Sequence, residues 1–214
     1  IRAADPSRIP ALARATREAG VPNVPTAALW EALYNLETPE SYAARPEMRY
    51  VSRQQVQGWI QQKRNQLAAV ANQGLGPAEV DAMLTFRRRL LKGLADAGAL
   101  LLLGTDSPQL FSVPGFSLHR EAALLQEAGV SPWKVLESGT RNVGWYTREV
   151  LGFDEPVGLV APGHRADLVL LDRNPLEDAG NLRAIAGVMV RGRWVDRAAI
   201  DSGLEAIAAR HARD

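Results

Sequence analysis

Apolar residues recur along the chain at two spacings, and the change between them divides it. Ile9, Leu12, Ala13 and Thr16 follow a helical period, with Asp5 or Ser7 as the cap, Pro6 or Pro10 in the first turn and Gly20 as the stop. Val21 to Thr26 then reads as a short buried strand, which Pro22 and Pro25 confine to an edge or an end. A helix feeding a strand is the half-unit of an α/β protein. Residues 37–76 break that rhythm: they are rich in Gln, Arg and Glu and punctuated by Pro39, Pro46, Gly74 and Gly76. Inside them Ser52 to Ala71 is helical, with Val56, Trp59, Ile60, Lys63, Leu67 and Val70 roughly on one face. Two readings stand side by side, an insertion that covers a site and a surface excursion whose aromatics simply pack.

The regular pattern resumes at Pro77, with a long amphipathic helix to Ala97 stopped by Gly98. Ala99 to Leu103 is a continuous apolar strand, the signature of burial on both faces and so of a parallel sheet. Ser117 is expected to cap a helix running through Ala128, Ser131-Pro132 starts another, and a third spans Asn142 to Leu151. Beyond Leu151 the elements shorten. Val157 to Val160, Asp167 to Leu171, Ile185 to Val190 and Trp194-Val195 read as strands, separated by turns at Pro162-Gly163, Asn174-Pro175 and Arg191-Gly192-Arg193. A helical tail from Ile200 to about Arg210 closes the chain. The division expected is 1–154, with the 37–76 insertion, then a β-rich segment 155–199 and a tail 200–214.

Composition narrows the classes. The 214 residues carry 25 Lys+Arg against 24 Asp+Glu, a net charge of +1, which supplies no field for gathering nucleic acid or anionic lipid. The longest uncharged apolar run, Ala97 to Gly104, is far below the ~20 residues that span a bilayer. With no cysteine there is neither a disulfide framework nor a thiolate metal site, which fits a reducing compartment such as the cytoplasm. The opening (Arg2, Asp5, Ser7, Arg8) is polar and unlike a signal peptide, and a start at Ile1 leaves room for polypeptide upstream. Arg87, Arg88 and Arg89 form the one basic triplet, read as a solvated helix face in preference to a phosphate site.

Chemistry concentrates where the apolar strand ends, at Gly104-Thr105-Asp106-Ser107. In parallel α/β architectures functional groups collect at the C-terminal ends of strands. A carboxylate there can bind a metal or act as a base; it can equally cap the turn that follows. Phosphate-binding glycine loops, nucleophile elbows and His-x-His or His-Glu-x-x-His pairs are all missing from the sequence. His119 could face the same site as Asp106, or cap its helix, or meet solvent, while His164 and His211 read as surface residues. A zinc site needs three or four ligands, and these histidines lie in segments that need not converge.

Gly104-Thr105-Asp106-Ser107, then Leu118-His119-Arg120-Glu121 and the run Leu124 to Pro132, resemble the last barrel strand and following helices of the metal-dependent amidohydrolase superfamily. The likeness continues through Gly158, Pro162-Gly163, Arg165 to Asp172, Asn174-Pro175-Leu176 and Val188 to Gly192, similar to that family's C-terminal β segment. Within the superfamily it most resembles the imidazolonepropionase-like and Xaa-Pro dipeptidase branch. The resemblance is strong over 99–197, weaker over 5–31 and absent over 37–76.

The resemblance implies an α/β fold: the C-terminal portion of a (β/α)8 TIM-type barrel, with part of a small β-sandwich beside it. It places Asp106 at the end of the eighth strand, as metal ligand and as the base that takes a proton from the attacking water and passes it to the leaving nitrogen. The implied reaction is hydrolysis of an amide, cyclic amide or dipeptide at one or two divalent metal ions, zinc first among them. His119 and Trp59 stand as substrate-contacting candidates, Trp59 as part of a lid over a small amide or peptide. The family's other ligands lie upstream and have no counterpart here. The βα part holds only three or four units of roughly 30 residues, against ~250 residues for a full barrel. The expected partner is therefore the missing N-terminal half, on the same or a separate chain, with oligomerisation a further expectation. The competing expectation is a catalytically incomplete fragment that serves only in folding or association.

Overall fold

The computed structural model describes residues 4–213, so Ile1 and Arg2 of the polar opening lie outside it. Local signals set most helix ends. Asp5 accepts from the Ser7 amide and starts a 3-10 turn, Pro6–Arg8, that runs into α1 (Ile9–Glu18). After α2 (Ala27–Tyr34) and the short α3 (Pro39–Ala43), Ser52 accepts from the Gln55 amide to cap α4 (Arg53–Asn72). α5 (Pro77–Ala97) begins at a proline, with Glu79 reaching back to the Gly76 amide, and ends at Gly98 in the left-handed conformation. α6 spans Phe116–Glu127, α7 Pro132–Gly139 and α8 Arg141–Glu149, with Ser131 capping α7 as its sequence suggests. Ser117 does not cap α6. Gly115, at φ +82°, makes the turn into that helix, and Ser117 lies buried in its first turn.

The strands depart further from expectation. Residues 21–26 and 99–103 lie side by side but share a single parallel bridge, Asn23 with Leu101. The Asn23 amide donates to the Leu100 carbonyl and the Leu102 amide to the Asn23 carbonyl, both at 2.9 Å. Pro22 and Pro25 have no N–H to offer on either side, so the ladder stops there. Val157 to Val160 is not a strand. Gly158 has φ +87°, and a Cβ there would lie 2.4 Å from the Thr140 carbonyl oxygen, so this stretch turns tightly against the start of α8.

The regular sheet is antiparallel and three-stranded, β1 (Leu168–Leu171), β2 (Ile185–Val190) and β3 (Arg193–Asp196), in the order β1-β2-β3. Asp196 caps α9 (Arg197–His211), which packs on β2 and β3.

Two cores hold the helical part. One gathers Leu91 and Ala95 of α5, Leu101, Ala122 and Leu125 of α6, and Val135 of α7. The other joins α2 to residues 37–76 and to the loop after Asp106, through Leu29, Tyr42, Trp59, Ile60, Leu110 and Phe111. The aromatics of 37–76 are thus packing residues: Tyr42 stacks on Phe111 at 5.1 Å, and Tyr50 on Phe116 at 4.9 Å. No helix among the described residues is long and apolar enough to cross a membrane.

Candidate functional site

Asp106 stands just past the end of the 99–103 segment, where the backbone is brought close to residues 21–26. A Cβ at Gly104 would lie 2.6 Å from Val24 Cγ1, so a side chain there would have to push Val24 aside. Asp106 itself is exposed and adopts φ +55°. Leu110 and Phe111 are also left-handed, at φ +34° and +62°. Three such residues in so short a stretch carry strain of ~1–3 kcal/mol each, which persists only where the surroundings hold it. Here the holding is visible. Leu110 and Phe111 are buried in the core shared with residues 37–76, and Ser107 Oγ donates to the Ser112 carbonyl at 2.6 Å.

α6 ties the neighbouring chain ends together. Ser117 Oγ donates to Thr105 Oγ1 at 3.2 Å, one residue before Asp106. One turn on, Glu121 is wholly buried and accepts from the Ala27 and Ala28 amides at 2.9 and 2.8 Å, at the end of the 21–26 segment. Burial pushes its carboxyl up, while those two amides and the Arg87 guanidinium pull it down. The other end of α2 meets the opposite charge. Lys63 of α4, also wholly buried, donates to the Ala32 and Asn35 carbonyls at 2.6 and 2.7 Å. Burial lowers its pKa to about 8. α2 thus has an anion at its N-terminus and a cation at its C-terminus, the arrangement that the helix dipole favours.

Asp106 does not meet the other two candidates. His119 lies two residues from Ser117, about 200° round the helix, and so points away from Thr105. Burial lowers its pKa, and the Arg183 guanidinium lowers it further. Trp59 is 3% exposed and packs against Phe111 at 5.7 Å, so its ring belongs to the core under the loop and offers no open wall. His164 and His211, expected at the surface, are half-buried. Glu121 and Lys63 did not stand out in the sequence as site residues. The Leu-His-Arg-Glu string contained the one, and the apolar face of Ser52 to Ala71, interrupted by a single lysine, contained the other.

The donor set decides what this arrangement can hold. Among the described residues no group of three or more His, Cys, Asp or Glu side chains is placed to bind a metal ion. A protein zinc centre takes three or four ligands. The described residues on their own therefore do not fit such an ion, and Asp106 offers a single carboxylate.

The sequence matches the model described as "Amidohydrolase family" over residues 9–195. Among solved structures, it is similar to a bottromycin amidohydrolase at 26% identity and a TM-score of 0.64, over 89% of this chain and 40% of that one. A structure described as an amidohydrolase aligns at 24% identity and 0.56, over 86% and 36%. A Xaa-Pro dipeptidase with methionine bound in its active site aligns at 20% and 0.52, over 84% and 35%, which shows likeness of fold. The chain thus spans two-fifths or less of the length of each. No curated protein matches it.

Proposed function

This chain belongs to the amidohydrolase family, and we propose that it takes part in hydrolysis of a C–N bond (amide, cyclic amide or dipeptide), with Asp106 as the proton-transferring carboxylate. The observation that carries the reading is the placement of Asp106: exposed, left-handed, at the end of a buried segment and braced from both sides. In that reaction the carboxylate takes a proton from water as its oxygen adds to the carbonyl carbon. It returns the proton to nitrogen as the C–N bond breaks, leaving an acid and an amine. Ser117 holds the Thr105 side chain on one side of it, and Ser107 ties the other side to the Ser112 carbonyl.

The remaining chemistry belongs, in this reading, to an N-terminal portion of the barrel outside the described residues, on the same or a second chain. Three observations support that: the partial span of the similar structures, the lone parallel bridge, and the missing ligand cluster. A divalent ion, zinc in the first instance, would draw its other ligands from that portion. Asp106→Asn keeps the size and removes the base. The expected outcome on a panel of dipeptides and N-acyl amides is a loss of at least ~10²-fold in rate, with an unchanged circular dichroism spectrum. Hydrolysis at the unaltered rate would refute the role.

The missing ligand cluster also favours a second reading, a non-catalytic segment that folds or associates without turnover. Activity that is absent both with and without added divalent metal, in every assembly the chain forms, would select it.

A further inference from the structure

The three consecutive arginines of α5 do not behave alike. Arg88 and Arg89 are exposed, whereas Arg87 is half-buried and turns into a cavity of about 260 Å³. Leu84, Leu91 and Leu94 of α5, Leu124 of α6 and Trp30 of α2 form its apolar wall. The Arg87 guanidinium lies 3.9 Å from the centre of the Trp30 ring. That ring is in turn stacked on Tyr34 at 5.5 Å, which fixes the platform beneath the cation.

The guanidinium is held but poorly satisfied. Its hydrogen bond among the described residues runs to the Pro25 carbonyl at 3.4 Å, long for an N–H···O contact. Four further N–H donors of the planar fork remain for other acceptors. The nearby carboxylates are already engaged. Glu31, which also lines the cavity, is bound by Arg120 at 2.7 Å, and Glu121 is taken up by the two amides at the start of α2. Arg88 adds a second positive charge to the lining. What remains is a leucine-walled space with one oriented cation whose donors are open. A carboxylate matches that fork with two parallel hydrogen bonds, and an apolar body matches the wall.

We propose that this cavity binds a small monocarboxylate with a compact apolar body, its carboxylate on Arg87 and its body against the leucines. Asp106 does not line the cavity, so the proposal goes beyond C–N hydrolysis and stands whether or not the chain turns over.

Isothermal titration of the purified chain with phenylacetate, and separately with phenylacetamide, tests it. The pair has the same body and differs in the charged head. The expected result is saturable binding of phenylacetate, at least about tenfold tighter than the amide. Arg87→Met should erase that preference, and Arg87→Lys, which keeps the charge and loses the fork, should weaken phenylacetate binding several-fold. Equal affinity for acid and amide, no saturable heat with phenylacetate at millimolar concentration, or a preference that survives Arg87→Met would overturn the proposal. Should Arg87→Met fail to fold, the acid-to-amide comparison on the unaltered chain still decides.

Discussion

α2 and the C-terminal sheet show opposite ways of ending an element. α2 is tied at both ends and along one face: Glu121 takes up its first amides, Lys63 carbonyls at its end, and Leu29 and Ala32 sink into the core beneath. β1 is open. Val169 and Leu170 are adjacent in the strand, so they point to opposite faces, yet they are 56% and 57% exposed. Neither face of the sheet is covered there. The difference separates what these residues bury among themselves from what they leave exposed. The loop bearing Asp106 falls with the former, because Phe111 and Leu110 are anchored in the same core as α2.

Four perturbations bear on this contrast, the costliest first. Trp59→Ala empties a filled core position and should cost about 3–5 kcal/mol in urea unfolding. A loss under 1 kcal/mol would return Trp59 to the role of an open wall. Glu121→Ala removes the acceptor of two half-buried amides and should cost about 2–3 kcal/mol. Hydrogen exchange should speed up first at Ala27 and Ala28, and Glu121→Gln, which keeps one acceptor, should lose less.

The third is a pH effect. Lys63 is depressed to about 8 from 10.5, so the unfolded chain binds the extra proton between these values, and stability should rise with pH across that window. The gain from pH 8 to pH 10 is about 2 kcal/mol, and Lys63→Met should abolish it. Above pH 10 Tyr42, raised to about 12 by burial, reverses the trend, because the folded state then holds the proton that the unfolded state has lost. Smallest of all, Val169→Ser on the open strand should change stability by about 0.5 kcal/mol or less. A larger loss would mean that β1 is already covered.

The same contrast explains what could be read in advance. Helix boundaries depend on neighbours within a turn, so Pro77 to Gly98, Ser131-Pro132 and Ser52 announced their elements at close to the observed positions. Strand pairing depends on distant residues. Nothing between Val21 and Thr26 reveals that one residue alone would pair, although the two prolines hint at it. Val157 to Val160 has strand composition, yet Gly158 bends it against α8. The position of Asp106 at the end of a buried segment was legible because an apolar run led straight into Gly-Thr-Asp-Ser. Its braces were not, since Ser117 resembled a helix cap and Trp59 could equally have been a lid. The clamp on α2 spans 94 residues between Ala27 and Glu121, a separation that no local pattern encodes.

In the reading proposed above, Asp106 belongs to a centre completed from outside these residues. Native mass spectrometry of the purified protein, with bound metal counted in each species, tests it most directly. A 23.3 kDa species is expected to carry no stoichiometric divalent metal, with metal appearing only in heavier assemblies. A 23.3 kDa monomer holding one or two metal ions and hydrolysing an amide would contradict it.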